Sequence, residues 1–449
     1  MILTGRAGWV ALLGALLILV SPWPVRLFWL LFLALALAIV FDIVAAASPR
    51  RLTFTRSGPD SIRLGESADI ALLIQNPGRR VRGWVRDSWA PSMRATPRAH
   101  RVSLRSGERT QVVTAVRPLR RGDHKPATVT VRTVGPLGFA GRQGRHDVPW
   151  QLRVLPPFLS RKHLPSRLAR LRELEGAIPV LIRGQGTEFD SLREYVVGDD
   201  VRSIDWRATA RRNDVVVRTW RPERDRRILV VLDTGRTSAG RIGVDPTSGD
   251  PSGWPRLDWA MDATLLLVAL ASRAGDRVDF LAHDRAVRAQ VSGASRNELL
   301  SLVVNAMAPL EPSLVESDAR DLVATIRRRS RHRSFIVLLT DLNPAALEEG
   351  LLPLLPQLTS HHHLLVAAVS DPRVEDMVMP ENSTGPGNIR SLDVEQVYDA
   401  AAAERTRGGR RRIVTLLRRQ GVEVVDAPPD EIAPALADRY LSLKASGRL

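Results

Sequence analysis

Two apolar runs open the chain, and they constrain it more than any other feature. Residues 9–20, "WVALLGALLILV", carry no charge, and after "SPWPVR" a second run starts at Leu27, "LFWLLFLALALAIV", and ends near Ala47. At about 1.5 Å per residue the second run can cross a hydrocarbon layer of about 30 Å, and the first, extended to Trp23, reaches the lower limit. Pro22 and Pro24 suit the turn between them, and Trp23 and Trp29 suit an interface. The pair reads as a transmembrane hairpin over residues 1–48. A cleaved leader would have only Arg6 as its basic region and lacks an A-x-A site. Arg6 precedes the hairpin, Arg50, Arg51 and Arg56 follow it, and Arg26 alone lies in the turn. This bias predicts a plasma (inner) membrane protein with two transmembrane helices and with both termini and the soluble domains in the cytoplasm. The chain has no cysteine, which excludes disulfides and agrees with a reducing compartment.

The remaining length is too great for one ordinary core, so two or three folded units are expected in a chain of 449 residues. Segments such as "ADIALLIQNPG" and "ATVTVRTV" alternate in polarity between Gly, Pro and Asn, and predict a small antiparallel β-sandwich over residues 49–157. Residues 158–225 read as a helical linker followed by a charged segment. From Arg226 strands alternate with helices: "RRILVVLD", "LDWAMDATLLLVALASRAG", "RVDFLAHD", "SRNELLSLVVNAMAPL", "RSFIVLLTD", "HLLVAAVSD" and a last strand "VEVVDA". That alternation predicts an α/β domain over 226–449, a mostly parallel sheet covered by helices on both faces. Net charge is +17 and nearly all arginine, with lysine only at Lys125, Lys162 and Lys444. The arginines are spread along the chain rather than gathered on one arm, so a nucleic-acid grip is the lesser reading.

Two strands end in aspartate, Asp233 in "LVVLDTGRTS" and Asp341 in "IVLLTDLNP". Ligands of open α/β sheets bind at the carboxyl ends of strands, and neighbouring strands would bring these carboxylates together with Thr237, Ser238 and Thr340. Hard oxygen donors of this kind suit Mg²⁺. The pattern resembles the von Willebrand factor A family, whose metal-ion-dependent adhesion site has the form Asp-x-Ser-x-Ser. Here Asp233 matches, Thr237 replaces a serine conservatively, and Gly235 lacks the hydroxyl, so the resemblance implies a degenerate metal site of Asp233, Thr237 and Asp341 and no firm cofactor. Arg236 is a candidate internal cation there. The family's separate threonine has only Ser313 and Ser317 as counterparts. A metal-dependent hydrolase using Asp233 and Asp341 is the alternative function.

The stretch "GTEFDSLREYVVGDDVRSIDWRATARRNDVVVRTW", residues 186–220, with the upstream "VGPLGFAGR", resembles the signature of the bacterial "domain of unknown function 58" family. The resemblance implies a membrane-anchored partner of a MoxR-type AAA+ ATPase, acting on a client protein and without catalytic activity of its own. In its own chemistry the stretch offers charges that can pair, a glycine turn at Gly198 and one large aromatic, but no nucleophile beside a base. It is expected to form a ridge near Asp233, with Arg202, Asp205, Arg207 and Arg211 in a binding surface and Trp206 as its buried support. No G-x-x-x-x-G-K or G-x-S-x-G occurs.

Overall fold

The computed structural model describes residues 1–177, 188–196, 199, 201–212, 214–221, 226–247, 249–378 and 394–449. The sequence "PENSTGPGN" at 380–388, which reads as a loose stretch, lies outside the described residues, as do the turn at Gly198 and the acid Asp200. The chain divides into two compact units, Met1–Leu155 and Pro156–Leu449.

The first unit joins the apolar helices to the β-sandwich. Helix α1, Gly5–Val20, and helix α2, Pro24–Ala45, pack against each other, and Gly14 admits the Leu31 side chain. Most large side chains of both helices point outward, among them Trp9, Leu17, Trp29, Leu33 and Phe41. Among the described residues one helix, α2, is long and apolar enough to cross a membrane, while α1 is shorter at 16 residues. The sandwich behind them has a five-stranded sheet and two three-stranded sheets. Alternation along Ala68–Gln75 and Val81–Asp87 turns Leu72, Ile74, Val81 and Val85 inward, where they meet Val102, Leu104, Val129 and Val131. The expectation of an all-antiparallel sandwich needs one correction, since Leu152–Leu155 runs parallel to Ser61–Arg63.

Asp42 joins the two parts of this unit. It lies in the last turn of α2 and is fully buried. A carboxylate there opposes the helix dipole and sits in an apolar run, so it needs donors. The loop of "VGPLGFAGR" supplies them: the backbone N–H of Leu137 donates to Oδ1 at 2.8 Å, and those of Phe139 and Ala140 donate to Oδ2 at 2.6 and 3.1 Å. Gly135 is required beside it, because a Cβ at 135 would collide with the Asp42 carboxyl group. Arg56, read from the sequence as a juxtamembrane charge, is instead buried in the sandwich and paired with Asp87 at 2.6 Å, while Arg50 and Arg51 stay exposed. The cationic flank of the apolar run is therefore those two arginines.

In the second unit a six-stranded sheet is built from β1 (Arg227–Asp233), β2 (Arg277–His283), β3 (Val287–Val291), β4 (Phe335–Leu339), β5 (His363–Val369) and β6 (Glu423–Ala427). The order is β3-β2-β1-β4-β5-β6, with all neighbours parallel except β3, an antiparallel edge. The central strands are apolar on both faces because both are covered. Leu229, Val231, Ile336 and Leu338 face Leu322, Ile326, Ile413 and Leu417. On the opposite face lies α5, Arg256–Arg273, buried along almost its whole length because α3 (Leu164–Ala177), α6 (Arg296–Met307) and α9 (Ile432–Ala445) pack around it. The first face carries α7, Ala319–Arg329, and α8, Val394–Arg419. The sequence reading ended at the last strand and missed α9, which is anchored through Tyr440 and Lys444 to buried Asp276. The stretch "PAALEEGLLPLLPQL", residues 344–358, has the apolar spacing of one helix but is broken into short turns at Pro353 and Pro356.

Two of these contacts predict stability. Asp42→Ala leaves three backbone donors without an acceptor and should cost roughly 2–4 kcal/mol, with Asp42→Asn losing less, as read from melts of the detergent-solubilised chain. Asp262 on α5 is buried and accepts from the Ser160 backbone N–H at 3.1 Å. Burial pushes its carboxyl up to about 6, only partly offset by the Ser160 and Leu159 bonds. The native state thus holds a proton that the unfolded state has lost between pH about 4 and about 6, and stability from this group falls as pH rises through that window. Asp262→Asn should melt with wild type near pH 4 and gain on it by about 2–3 kcal/mol at pH 7. A constant difference across that range would contradict the assignment.

Candidate functional site at the carboxyl end of the sheet

The strand order reverses between β1 and β4, which opens a crevice outside their carboxyl ends. Asp233 closes β1, and Thr340 and Asp341 directly follow β4, so the topology brings the predicted residues to one place.

Asp233 is 9 % exposed, and its oxygens are taken up by hydroxyls and one backbone N–H. Oδ1 accepts from Gly235 N at 2.9 Å and from Ser317 Oγ at 2.5 Å. Oδ2 accepts from Thr340 Oγ1 at 2.6 Å and from Thr237 Oγ1 at 3.3 Å. A carboxylate has about four lone-pair sites, and all are used. Ser317 is the residue that sequence reasoning undervalued. The hydroxyl absent at Gly235 comes from a different segment, which spacing along one loop cannot reveal. A Cβ at 235 would collide with Ser317 Oγ, with Val315 O and Asp233 Oδ1 at 3.1 and 3.2 Å. Ser313, the other candidate, serves a neighbouring buried acid, Asp284, at 2.7 Å.

Asp341, also 9 % exposed, is held by two guanidinium groups. Arg410 Nη1 donates to Oδ1 at 2.6 Å, and Arg256 Nη1 stands 3.3 Å from Oδ2. Arg256 also donates to Thr237 O at 2.6 Å and to Val369 O at 3.2 Å, and Arg410 pairs with Asp426 at 2.7 Å. Burial lowers the pKa of Arg256, and Asp341 only partly restores it. Burial acts on Arg410 too, but the Asp426 and Asp341 carboxylates outweigh it and hold its pKa above the ordinary value. The difference follows from the partners: Arg410 has two carboxylates in contact and Arg256 one. Both stay charged at any physiological pH. Arg410 reaches the site because Gly409 lets α8 pass close to Pro344, where a Cβ would lie 3.1 Å from the ring.

These contacts correct two expectations. Arg236 does not stand at the site; it points to Glu316, at 2.8 Å, and both are exposed. The metal reading of Asp233, Thr237 and Asp341 does not fit the donor set, since Asp233 is saturated by hydrogen-bond donors and Asp341 faces two permanent cations. Among the described residues no group of three or more His, Cys, Asp or Glu side chains could hold a metal ion.

The family-signature stretch forms a separate feature. Glu188–Glu194 pairs antiparallel with Val216–Arg221, and α4, Trp206–Arg212, lies between them in sequence. Asp205 caps α4 by accepting from Arg207 N and Ala208 N, each at 3.0 Å, and pairs with Arg218 at 2.7 Å. These bonds, the Ala208 N–H first and then Arg218, hold its carboxyl below the ordinary value. Arg193 pairs with Asp199. Trp206 is 66 % exposed, so the expected buried support is instead a presented ring. Among the described residues of this element Val216 and Val217 are buried. Arg202, Arg207 and Arg211 are exposed, as are Val196 and Val201. Among the described residues no hydrogen bond or ion pair joins this ridge to Asp233, Thr237 or Asp341.

A protein-family model described as "Protein of unknown function DUF58" matches residues 191–423, just over half of the chain. Uncharacterized proteins of Mycobacterium tuberculosis, Rv1480 of strain ATCC 25618 / H37Rv and MT1527 of strain CDC 1551 / Oshkosh, are each 24% identical over 320 residues, covering 66% of this chain and 96% of the relative. Among solved structures, the CARDB domain of the PF1109 protein from Pyrococcus furiosus, in complex with di-metal ions, aligns with 23% of this chain and 91% of its own at 17% identity and a TM-score of 0.18.

Gly235 tests the crevice. Gly235→Ala should displace Ser317 Oγ from Asp233 and cost about 1–3 kcal/mol, and Gly235→Ser should not behave as a repair, because its Cβ meets the same obstacle. Melts of both variants beside Ser317→Ala check this, and a Gly235→Ser protein as stable as wild type would show that the loop yields.

Proposed function

The chain belongs to the DUF58 family of proteins of unknown function, and from that premise we propose that it is a non-catalytic, membrane-anchored assembly factor that presents a von Willebrand A-like domain to a MoxR-type AAA+ ATPase in the cytoplasm. The observation that carries the docking role is the ridge. A tryptophan 66 % exposed, on a helix fixed by its Asp205 cap and flanked by Arg202, Arg207 and Arg211, has the composition of an interface centre. A large ring held in water without covering costs free energy, and a partner that buries it recovers that cost. The sheet order with its single antiparallel edge and the paired Asp233 and Asp341 at the switch point support the von Willebrand A-like reading. The apolar α2, the outward-facing α1 and the exposed Arg50 and Arg51 support a two-helix anchor with a cytoplasmic body.

The hydrolase alternative asks Asp233 and Asp341 to ligate a metal or act as a base. Asp233 has four donors on its four lone-pair sites, and Asp341 faces two guanidinium groups that oppose an incoming cation, so the docking reading is the better supported.

The ridge predicts a separation of folding from binding. Arg202→Ala with Arg207→Ala, and separately Trp206→Ala, should abolish co-purification of the MoxR-type ATPase from membranes. Each should change stability by less than about 0.5 kcal/mol, because the side chains are exposed. Retention of the ATPase by both variants at wild-type level would remove the ridge from the docking surface.

A further inference from the structure

We propose that Arg256 and Arg410 are a built-in replacement for a divalent cation, so that the strand ends at the carboxyl end of the sheet are locked together without metal. The inference goes beyond the docking reading above, which concerns the ridge. Two guanidinium groups carry the same charge as one divalent ion, and here they share one carboxylate, one on each oxygen of Asp341. They also do what a central ion does geometrically. Arg256 joins the loop after β1, through Thr237 O, to the end of β5 at Val369 O. Arg410 joins Asp341, after β4, to Asp426 in β6. Four strand ends are thus tied by two side chains, each about 15 % exposed, at 15 % for Arg256 and 16 % for Arg410.

Three features make this a substitution rather than an ordinary surface ion pair. Both arginines are largely buried, and each bridges elements far apart in sequence. The hydroxyls that could serve a hard cation, Thr237, Ser317 and Thr340, all donate to Asp233 instead. A divalent ion entering between the two aspartates would meet the guanidinium groups and would have to strip those hydrogen bonds. A hard cation completes its shell with oxygens from whatever docks on it. Arg256 and Arg410 are positioning residues on this view.

The test uses the full chain in detergent micelles. Manganese is titrated and its free-ion magnetic resonance signal followed, and melts are compared in chelator and in millimolar Mg²⁺. Wild type should leave the Mn²⁺ signal undiminished and melt at one temperature in both conditions. Arg256→Met with Arg410→Met should expose Asp341, bind one Mn²⁺, and regain with Mg²⁺ part of the melting temperature it has lost. Adding Asp341→Asn should cancel both gains. If the double variant does not fold, Arg256→Met alone is read in the same way. Wild-type binding of Mn²⁺ that Asp233→Asn abolishes would overturn the proposal, and so would a folded arginine variant that binds none. Capture of the ATPase by wild type in chelator is scored separately. Its failure together with a metal-indifferent wild type would remove the docking reading and leave the arginine clamp standing.

Discussion

A largely buried carboxylate at a strand end cannot remain uncompensated, and the answer found for Asp341 organises the top of the larger unit. Arg256 and Arg410 neutralise it from within the chain, and in doing so they tie the ends of β4, β5 and β6 to the loop after β1. The geometry calls for arginine rather than lysine. A planar guanidinium presents several fixed donors and stays charged when buried, whereas an ammonium is more strongly hydrated and loses its charge more readily. Removing either arginine would leave Asp341, largely buried, short of a counter-ion.

The same rule recurs where the chain changes environment. Asp42, at the end of the apolar α2, draws on backbone N–H groups of residues 137–140. Asp87 is matched by Arg56, and Asp276 by Tyr440 and Lys444. In each case an acid from one element is satisfied by donors distant in sequence, and the pair fixes how the elements meet. The strongly basic composition is therefore partly structural. Several arginines that contribute to the +17 balance are committed to internal acids and do not form one binding stripe.

The ridge follows the opposite economy. Asp205 spends its acceptors on the start of α4 and on Arg218, which fixes the backbone while Trp206 and three arginines face water. Rigid backbone with exposed aromatic and guanidinium groups lowers the ordering cost of binding, because the presented side chains sit on a prearranged support.

Much was legible in the sequence. The apolar runs, the alternation of strand and helix from Arg226, the parallel sheet and the two strand-ending aspartates follow from periodicity and from the backbone's need for partners. The signature around Arg193–Trp220 identified the family without any geometry. Tertiary structure alone decided the rest, because it turned on residues far apart along the chain. Ser317 reaches Asp233 across 84 residues and Arg410 reaches Asp341 across 69, and no local pattern links either pair. Trp206 shows the same limit from the other side: its neighbours allow a ring that faces in or out, and in the fold Val216 and Val217 are buried while the ring is exposed. Local chemistry determined which groups would need partners; the fold determined which groups met, and so turned an apparent metal site into an arginine-held one.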